Sequence, residues 1–130
     1  MSVVEGDGYA VGNVEDLGDG PGFRKVRREL GVTAFGVNAI LLPAGMATGN
    51  HFHDEQEELY FLHRGRIAIE FGDGSSHELG PGGMARVDAA TVRGIRALGD
   101  EDALYLIVGG KDGYVGRDGR VPEGEPGPSH

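Results

Sequence analysis

Short apolar runs separated by turn residues fill the chain from Phe23 to Val108. Runs of this length between Gly, Asp and Pro are typical of β-strands, because amphipathic helices need a longer segment with a period of 3.6 residues. Eight strands are predicted, at residues 23–30, 32–42, 58–63, 66–71, 77–79, 84–87, 92–98 and 103–108. No segment carries a convincing helical pattern. The sequence therefore predicts an all-β domain, either an antiparallel sandwich or a barrel.

Two dipeptides between these runs have the composition of tight turns. Asp73-Gly74 follows the alternating stretch that ends at Phe71, and Gly99-Asp100 separates the last two predicted strands. Asp-Gly pairs favour hairpins because glycine accepts a positive φ without steric cost. We therefore expect a hairpin at each of the two positions.

The two ends of the chain lack the pattern of the centre. Residues 1–22 are rich in Gly, Asp and Glu without a sustained period, so we expect an irregular N-terminal arm. Residues 111–130 form a Gly- and Pro-rich tail, which we expect to lack fixed structure from about residue 120 onward. The predicted barrel domain occupies residues 23–110.

The composition narrows the classes of function. A formal net charge of −9 argues against nucleic acid or an anionic membrane as a partner. One local basic stretch, which we interpret as a solvated strand, consists of Arg24, Lys25, Arg27 and Arg28. The chain has no cysteine, so histidine and carboxylate side chains must supply any metal ligands. It also has no apolar signal core or membrane-spanning run, which predicts a cytoplasmic location.

Candidate chemistry is concentrated between Gly45 and Gly65. His51 and His53 are two positions apart, so on an extended strand both imidazoles lie on one face and can reach one ion. A carboxylate for the same ion must come from a neighbouring element, and either Glu57 or Glu58 is suitably placed. The apolar pattern that follows does not choose between these two faces.

A plainer interpretation is available for the same residues. Two histidines in a strand can lie at the surface, and the acidic loop at residues 54–57 can be a solvated turn. Spacing alone leaves both interpretations open. The isolated His63 and His77 are expected to be structural or solvated rather than ligands.

The whole segment resembles the cupin superfamily. The first cupin motif consists of Gly, five residues, His-x-His, three or four residues, Glu, six residues and Gly. It is matched here by Gly45, His51, His53, Glu58 and Gly65. The resemblance covers roughly residues 23–110 and selects Glu58 over Glu57. It implies a jelly-roll barrel, also called a double-stranded β-helix, of six to eight strands, often dimeric, with the histidines and the glutamate at the barrel mouth.

The second cupin motif is degenerate. The family pattern is Gly, five residues, Pro-x-Gly, two residues, His, three residues and Asn. Gly82 fits, but Asp88, Ala90, Arg93 and Ala97 occupy the positions of proline, glycine, histidine and asparagine. The usual fourth metal ligand is thus replaced by Arg93, whose guanidinium has no lone pair to donate and whose positive charge opposes a cation.

Two outcomes are possible at this site. In one, Arg93 pairs with Glu58 and the barrel is a metal-free module that binds a small molecule without catalysis. In the other, His51, His53 and Glu58 bind a divalent ion (Zn, Ni, Fe or Mn), and Arg93 orients a small anionic ligand beside it. We favour the second. It predicts a metal-dependent protein, with the oxygenase or isomerase type as the corresponding enzyme classes.

Two further expectations concern the strand after the acidic loop. Tyr60 lies on the Glu58 face, where its hydroxyl could donate to a substrate, although a barrel-filling role is the stronger alternative. Apolar residues occur on both faces of residues 59–62, and only one face can fill the barrel. The second face predicts a homodimer.

Overall fold

The structure is a computed structural model that describes residues 3–125. The described part contains twelve strands, one five-residue α-helix (α1, Val26–Leu30) and one 3-10 turn (Val14–Leu17). The strands are β1 (Val3–Gly6), β2 (Tyr9–Gly12), β3 (Gly22–Arg24), β4 (Gly36–Leu42), β5 (Phe52–His53), β6 (Glu57–Arg64), β7 (Ile67–Phe71), β8 (Ser76–Leu79), β9 (Met84–Val87), β10 (Arg93–Ala97), β11 (Ala103–Gly110) and β12 (Gly119–Arg120). The predicted all-β class is confirmed.

Two antiparallel sheets form the barrel. One has five strands in the order β3-β4-β11-β6-β9, and the other has three in the order β10-β7-β8. The second sheet continues past β10, because Ala47 bridges Arg96 and His51 bridges Arg93. Next to this bridging segment, β5 pairs with β12. The arrangement is the double-stranded β-helix that the cupin resemblance implied.

The main core lies between the two sheets. Buried side chains of the five-stranded sheet, among them Tyr60, Leu62 and Tyr105, pack in one cluster with Ile69 and Ile95 of the opposite sheet. The alternation along β6 explains this, since Glu58, Tyr60 and Leu62 point inward while the residues between them point outward. Glu58 therefore enters the barrel at one end of an otherwise apolar row.

A second, smaller core covers the outer face of the five-stranded sheet. Leu17 of the 3-10 turn and Val26 of α1 pack there in one cluster with Val37, Ala39 and Leu104. This packing corrects the strand prediction for residues 23–30, where only Gly22–Arg24 is extended and α1 follows. Residues four apart share a helical face, so Val26 can be buried there with Leu30 packed against the same cluster.

The basic stretch was also interpreted wrongly as a solvated strand. Arg24 is buried, with 4% of its surface exposed, although its neighbours Lys25 and Arg28 remain more accessible. Arg27 stacks its guanidinium on the Tyr114 ring, with the carbon of the guanidinium 3.9 Å from the ring centre. The stretch thus contributes packing on the outer face of the sheet rather than a continuous basic surface.

The expectation of an irregular N-terminal arm is wrong for residues 3–12. Here β1 and β2 form a hairpin whose two-residue loop is Asp7-Gly8, with Gly8 at φ 84°. Asp-Gly is the turn signal that the sequence also carries at Asp73-Gly74, where β7 and β8 do form a hairpin. By contrast, Gly99-Asp100 connects two strands of different sheets, so the predicted hairpin there is wrong.

The C-terminal segment also has more order than predicted. Residues 111–125 are described, and β12 pairs with β5 through the register Gly119 to His53 and Arg120 to Phe52. The expectation of no fixed structure is therefore wrong for residues 120–125, while residues 126–130 lie outside the described part. The division of the chain into domains at residues 23 and 110 stays a prediction. Neither helix in residues 3–125 has the length and apolar character needed to cross a bilayer.

Candidate metal centre

The two histidines enter the site from the segment beside β10, where His51 pairs with Arg93 and His53 lies in β5. Their rings pack edge to face, with centroids 5.1 Å apart. The side chain of His53 is 11% exposed and that of His51 is 27% exposed. His51 is thus the member of the pair that meets solvent more.

Glu58 of β6 brings the carboxylate to the two rings. Its Oε1 lies 3.3 Å from Nε2 of His53 and 3.9 Å from Nε2 of His51. One potential ligand atom from each of the three side chains lies within 4.8 Å of the others. Glu58 is buried whereas Glu57 is exposed, so the inward carboxylate is the one that the resemblance selected.

Arg93 lies behind Glu58, with none of its surface exposed. One terminal nitrogen, Nη2, donates to Glu58 Oε1 at 2.8 Å. The other, Nη1, donates to the carbonyls of Asp88, Ala89 and Thr91 at 3.3, 3.2 and 2.6 Å. The guanidinium is therefore fixed at the inner side of the cluster by a carboxylate and by backbone carbonyls.

Tyr60 completes the same network. Its hydroxyl donates to Glu58 Oε1 at 2.8 Å and accepts from Arg93 Nε at 3.2 Å. Because 1% of Tyr60 is exposed, the ring fills the barrel and the hydroxyl orients Glu58. Direct contact of Tyr60 or Arg93 with a substrate stays a prediction, and in this arrangement both side chains act on the site through Glu58.

The network keeps Glu58 ionised. Burial by itself raises the pKa of the Glu58 carboxyl, but the adjacent His51 and His53 rings and the hydrogen bond from Arg93 outweigh it. The net effect holds the pKa of Glu58 well below its ordinary value of 4.5. Burial next to the Glu58 carboxylate raises the pKa of the Tyr60 hydroxyl, so this group stays a hydrogen-bond donor.

Asp118 contacts His53 from the side opposite Glu58. Its Oδ1 lies 2.8 Å from His53 Nδ1 and also accepts from Gln56 Nε2 at 2.6 Å. Its Oδ2 accepts from the backbone amides of Glu55 and Gln56 at 2.8 and 3.0 Å. These donors outweigh the effect of burial and hold the pKa of Asp118 well below its ordinary value of 3.8.

The second nitrogen of His53 has a different environment. Nε2 is buried without a hydrogen-bond partner in the described part of the chain, although the Glu58 carboxylate is near. Burial alone would lower the pKa of His53, but the nearby Glu58 carboxylate and the hydrogen bond to Asp118 outweigh it and raise the pKa above its ordinary value of 6.5. A buried nitrogen without a hydrogen-bond partner, facing an imidazole and a carboxylate, fits a metal ligand.

Sequence reasoning missed Asp118 and Gln56. Asp118 is separated from His53 by 65 residues, and it lies in a segment whose composition predicts disorder. The stretch Arg117–Arg120 contains the pair Asp118-Gly119, and the same dipeptide marks turns elsewhere in the chain. This turn signal was the one local indication of order around Asp118. Nothing local in that stretch connects it to the histidines.

The surface beside the cluster carries two depressions. One has a volume of about 290 Å³ and is lined in part by Glu57, Glu58 and Lys111. The other has a volume of about 440 Å³ and is lined in part by Glu55, Asp88 and Lys111. Neither depression is lined by His51 or His53, and His51 is the more exposed of the two rings.

Comparison with protein families assigns this fold. The family model described as "Cupin domain" matches residues 38–109, which is more than half of the chain. The chain belongs to the cupin family. The match includes both histidines, Glu58 and Arg93, whereas Asp118 lies beyond it. A search of curated protein sequences finds no significant match.

Three solved structures share the fold over most of this chain. A cupin protein from Bacteroides fragilis is 29% identical, with a TM-score of 0.63, over 72% of this chain and 77% of that one. A sugar phosphate isomerase from a cupin superfamily of Silicibacter pomeroyi is 26% identical, with a TM-score of 0.58, over 81% and 60% of the two chains. A structure of DMSP lyases is 26% identical, with a TM-score of 0.60, over 68% and 44%. This cupin thus spans less than half the length of the DMSP lyase that it matches.

Proposed function

We propose that this cupin binds a divalent metal ion through His51, His53 and Glu58 and receives a small anionic molecule at the remaining coordination positions. Two imidazoles and one carboxylate with open positions suit Zn, Ni, Fe or Mn. The observation that carries the proposal is the buried Nε2 of His53, which has no hydrogen-bond partner in residues 3–125 and faces the other two ligands. When bound, the ion would supply Lewis acidity to a coordinated ligand.

The charge balance of the site supports an anionic ligand. Arg93 pairs with Glu58 at 2.8 Å, so the positive charge of Arg93 balances the negative charge of the carboxylate. Without Arg93, that negative charge would neutralise part of the charge of the metal ion. The two imidazoles are neutral when they coordinate a metal. A divalent ion at this cluster therefore keeps most of its positive charge, which favours a carboxylate or a phosphate as the additional ligand.

The description of one solved relative is compatible with this class of ligand. The relative from Silicibacter pomeroyi is described as a sugar phosphate isomerase, so its substrate class is anionic. The fold itself does not decide function, because one fold hosts many chemistries. The support from this relative is therefore limited to the substrate class. The chemistry of the three ligands and of Arg93 carries the proposal.

One observation favours a second candidate, a metal-free binding module. The guanidinium of Arg93 already gives Glu58 a positive partner at 2.8 Å, with Tyr60 on the same oxygen. Such a carboxylate does not require a metal ion for its charge to be balanced. In this case the protein would bind a small anion without metal and without turnover.

Calorimetric titration with Zn²⁺ and Ni²⁺ tests the first candidate. Metal-stripped wild-type protein is expected to bind one ion per chain, and His51→Ala is expected to abolish binding because it removes a ligand. His77→Ala is the matched control, since His77 is an exposed histidine outside the cluster. Equal affinity in wild type and His51→Ala would contradict the proposed ligand set.

Thermal melting with small anions separates the two candidates. Carboxylates and phosphates are screened with metal-stripped protein and again after addition of Zn²⁺. The first candidate predicts an increase in melting temperature that requires the metal, whereas the metal-free module predicts the same increase without it. An anion-induced increase in a chain that binds no metal would select the second candidate.

A further inference from the structure

The segment from Asp118 to Glu125 lies across the residues that carry the two histidines. We call it the C-terminal strap. Its strand β12 pairs with β5, and the Asp54 amide donates to the Asp118 carbonyl at 3.2 Å. Arg120 Nε contacts both carboxylate oxygens of Asp54, at 2.6 and 2.7 Å, and Asn50 Nδ2 donates to Glu125 at 2.9 Å. The strap is therefore attached along its length to residues 50–54.

Asp118, the first residue of the strap, has four hydrogen-bond contacts with residues 53–56. These contacts determine whether its carboxyl group is ionised. The backbone amides of Glu55 and Gln56 and the side-chain amide of Gln56 can only donate. A carboxylate that accepts from three such donors is ionised, so it has no proton of its own to offer to His53. The proton in the fourth contact, at 2.8 Å, must lie on Nδ1 of His53.

In a neutral His53 ring, a proton on Nδ1 means that Nε2 carries a lone pair and no hydrogen. In the neutral imidazole one nitrogen donates and the other carries the lone pair. The lone pair of His53 is then on Nε2, the buried nitrogen that faces Glu58 and His51. A metal-ligating histidine commonly donates its other ring N–H to a carboxylate, and this hydrogen bond fixes the tautomer and the orientation of the ring.

We propose that Asp118 is a positioning residue for the metal centre, which holds the neutral His53 ring with its Nε2 lone pair directed at the cluster. The inference rests on the proposed metal-binding function. It adds a group from outside the residues that match the family model, and it gives the C-terminal strap a role in the site. Asp118 does not contact the ion itself. It acts through His53.

The test variant is Asp118→Asn, which preserves size and removes one acceptor oxygen. The Glu55 and Gln56 amides both lie on Oδ2, so the remaining oxygen of the asparagine is expected to stay with them. The NH₂ group then faces His53 Nδ1 and donates to it, which forces the proton to Nε2. The two backbone hydrogen bonds of the loop are kept, the Gln56 side-chain amide loses its acceptor on Oδ1, and the lone pair is directed away from the ion.

Two measurements are made on metal-stripped full-length protein. Zn²⁺ titration is expected to give an affinity about 10- to 100-fold weaker for Asp118→Asn than for wild type, the range found for such outer groups. Long-range ¹H–¹⁵N correlation spectra of the histidine rings are recorded without metal, at a pH at which His53 is neutral. They are expected to show Nδ1–H in wild type and Nε2–H in Asp118→Asn.

Arg120→Ala is the matched control, because it removes the Asp54 contact of the same strap and leaves Asp118 in place. Exposed ion pairs contribute little, so its Zn²⁺ affinity is expected within about fivefold of wild type. Wild-type affinity in Asp118→Asn, or an Nε2–H tautomer in the wild-type ring, would overturn the assignment of Asp118. Absence of Zn²⁺ binding in wild type would overturn the proposed function. The tautomer spectra without metal would then still test whether Asp118 sets the position of the proton on the His53 ring.

Discussion

His51 and Arg93 form a directly opposed backbone pair, in which each amide donates to the other residue's carbonyl at 2.9 Å. Side chains of directly opposed residues lie on the same face of a sheet. Residue 93 therefore faces the cluster from the position at which the second cupin motif has histidine. The departure of this chain from the motif is a change of chemistry at that position and not a slip of register.

The first prediction concerns Arg93→His. The substitution adds a possible fourth ligand and removes an opposing charge, so we expect tighter binding of Zn²⁺ and Ni²⁺ by calorimetry. Without metal the variant is expected to be less stable by about 3–5 kcal/mol, because Glu58 loses its buried partner. Urea unfolding of the metal-stripped protein measures that loss.

Two controls accompany this variant. Arg96→His changes an exposed arginine of the same strand and is expected to leave both metal affinity and stability near wild type. His51→Ala is expected to abolish metal binding in the wild-type and the Arg93→His backgrounds alike. Unchanged affinity in Arg93→His would show that the residue at position 93 does not reach the ion.

The second prediction concerns the charge of Glu58. Glu58→Gln keeps an oxygen for Tyr60 but leaves the buried Arg93 guanidinium without a counter-charge, so we expect destabilisation of about 3 kcal/mol. Zn²⁺ affinity is expected to fall as well. Glu57→Gln removes the same charge from an exposed neighbour, and its effect is expected within about 0.5 kcal/mol. Equal unfolding curves for the two variants would contradict a buried Arg93–Glu58 pair.

The third prediction concerns the pH dependence of stability without metal. Folding lowers the pKa of Glu58 and of Asp118, so their stabilisation is present above about pH 4.5 and is lost as the pH falls. Folding raises the pKa of His53, so its stabilisation is complete below pH 6.5 and is lost as the pH rises through the folded value. Together they predict maximal stability between about pH 5 and pH 6.5.

Urea unfolding at a series of pH values, in the presence of a chelator, measures this profile. His53→Ala is expected to remove the decline on the alkaline side and to leave the acidic side in place. Zn²⁺ affinity should show the opposite trend on that side and rise with pH, because a ligating imidazole must lose its proton. Parallel alkaline limbs in wild type and His53→Ala would contradict the raised pKa of His53.

The fourth prediction is the homodimer. Leu59 and Met84 lie on the outer face of adjacent strands, 38% and 56% exposed, beyond the area that the N-terminal elements cover. Exposed apolar side chains on a sheet favour association. Light scattering at tens of micromolar is expected to give the mass of a dimer, and Met84→Asp is expected to shift it to a monomer. Met46→Asp, equally exposed but outside the sheets, should remain dimeric.

Local patterns predicted most of the barrel because turn-bounded apolar runs determine strands independently of context. The prediction for residues 84–87 coincides with β9, whereas residues 23–30 were misinterpreted. There, Val26 and Leu30 are four positions apart, which is a helical spacing, and Gly31 ends α1 in a left-handed conformation. The hairpin at Asp7-Gly8 carried a recognisable turn signal, but the strands beside it are short and largely exposed.

The candidate site was predictable only in part. The strand period places His51 and His53 on one face, but choosing Glu58 over Glu57 required the resemblance, since both faces of β6 are apolar. The contact with Asp118 had no local signal, because hydrogen bonds between distant segments depend on the completed topology. The pairing of Arg93 with Glu58 was part of one of two alternatives that the sequence left open. Residue types alone do not give the distance between these side chains, which the structure places in hydrogen-bond contact.

The distance along the chain between His53 and Asp118 has a consequence for biosynthesis. Every strand of the two main sheets has been synthesised once Gly110 has been added, before Asp118 is added. The carboxylate that completes the environment of the His53 ring is therefore added after the strands of both sheets. A chain that stops between Gly110 and Asp118 would carry the strands of both sheets, yet the ring of His53 would lack the carboxylate that orients it.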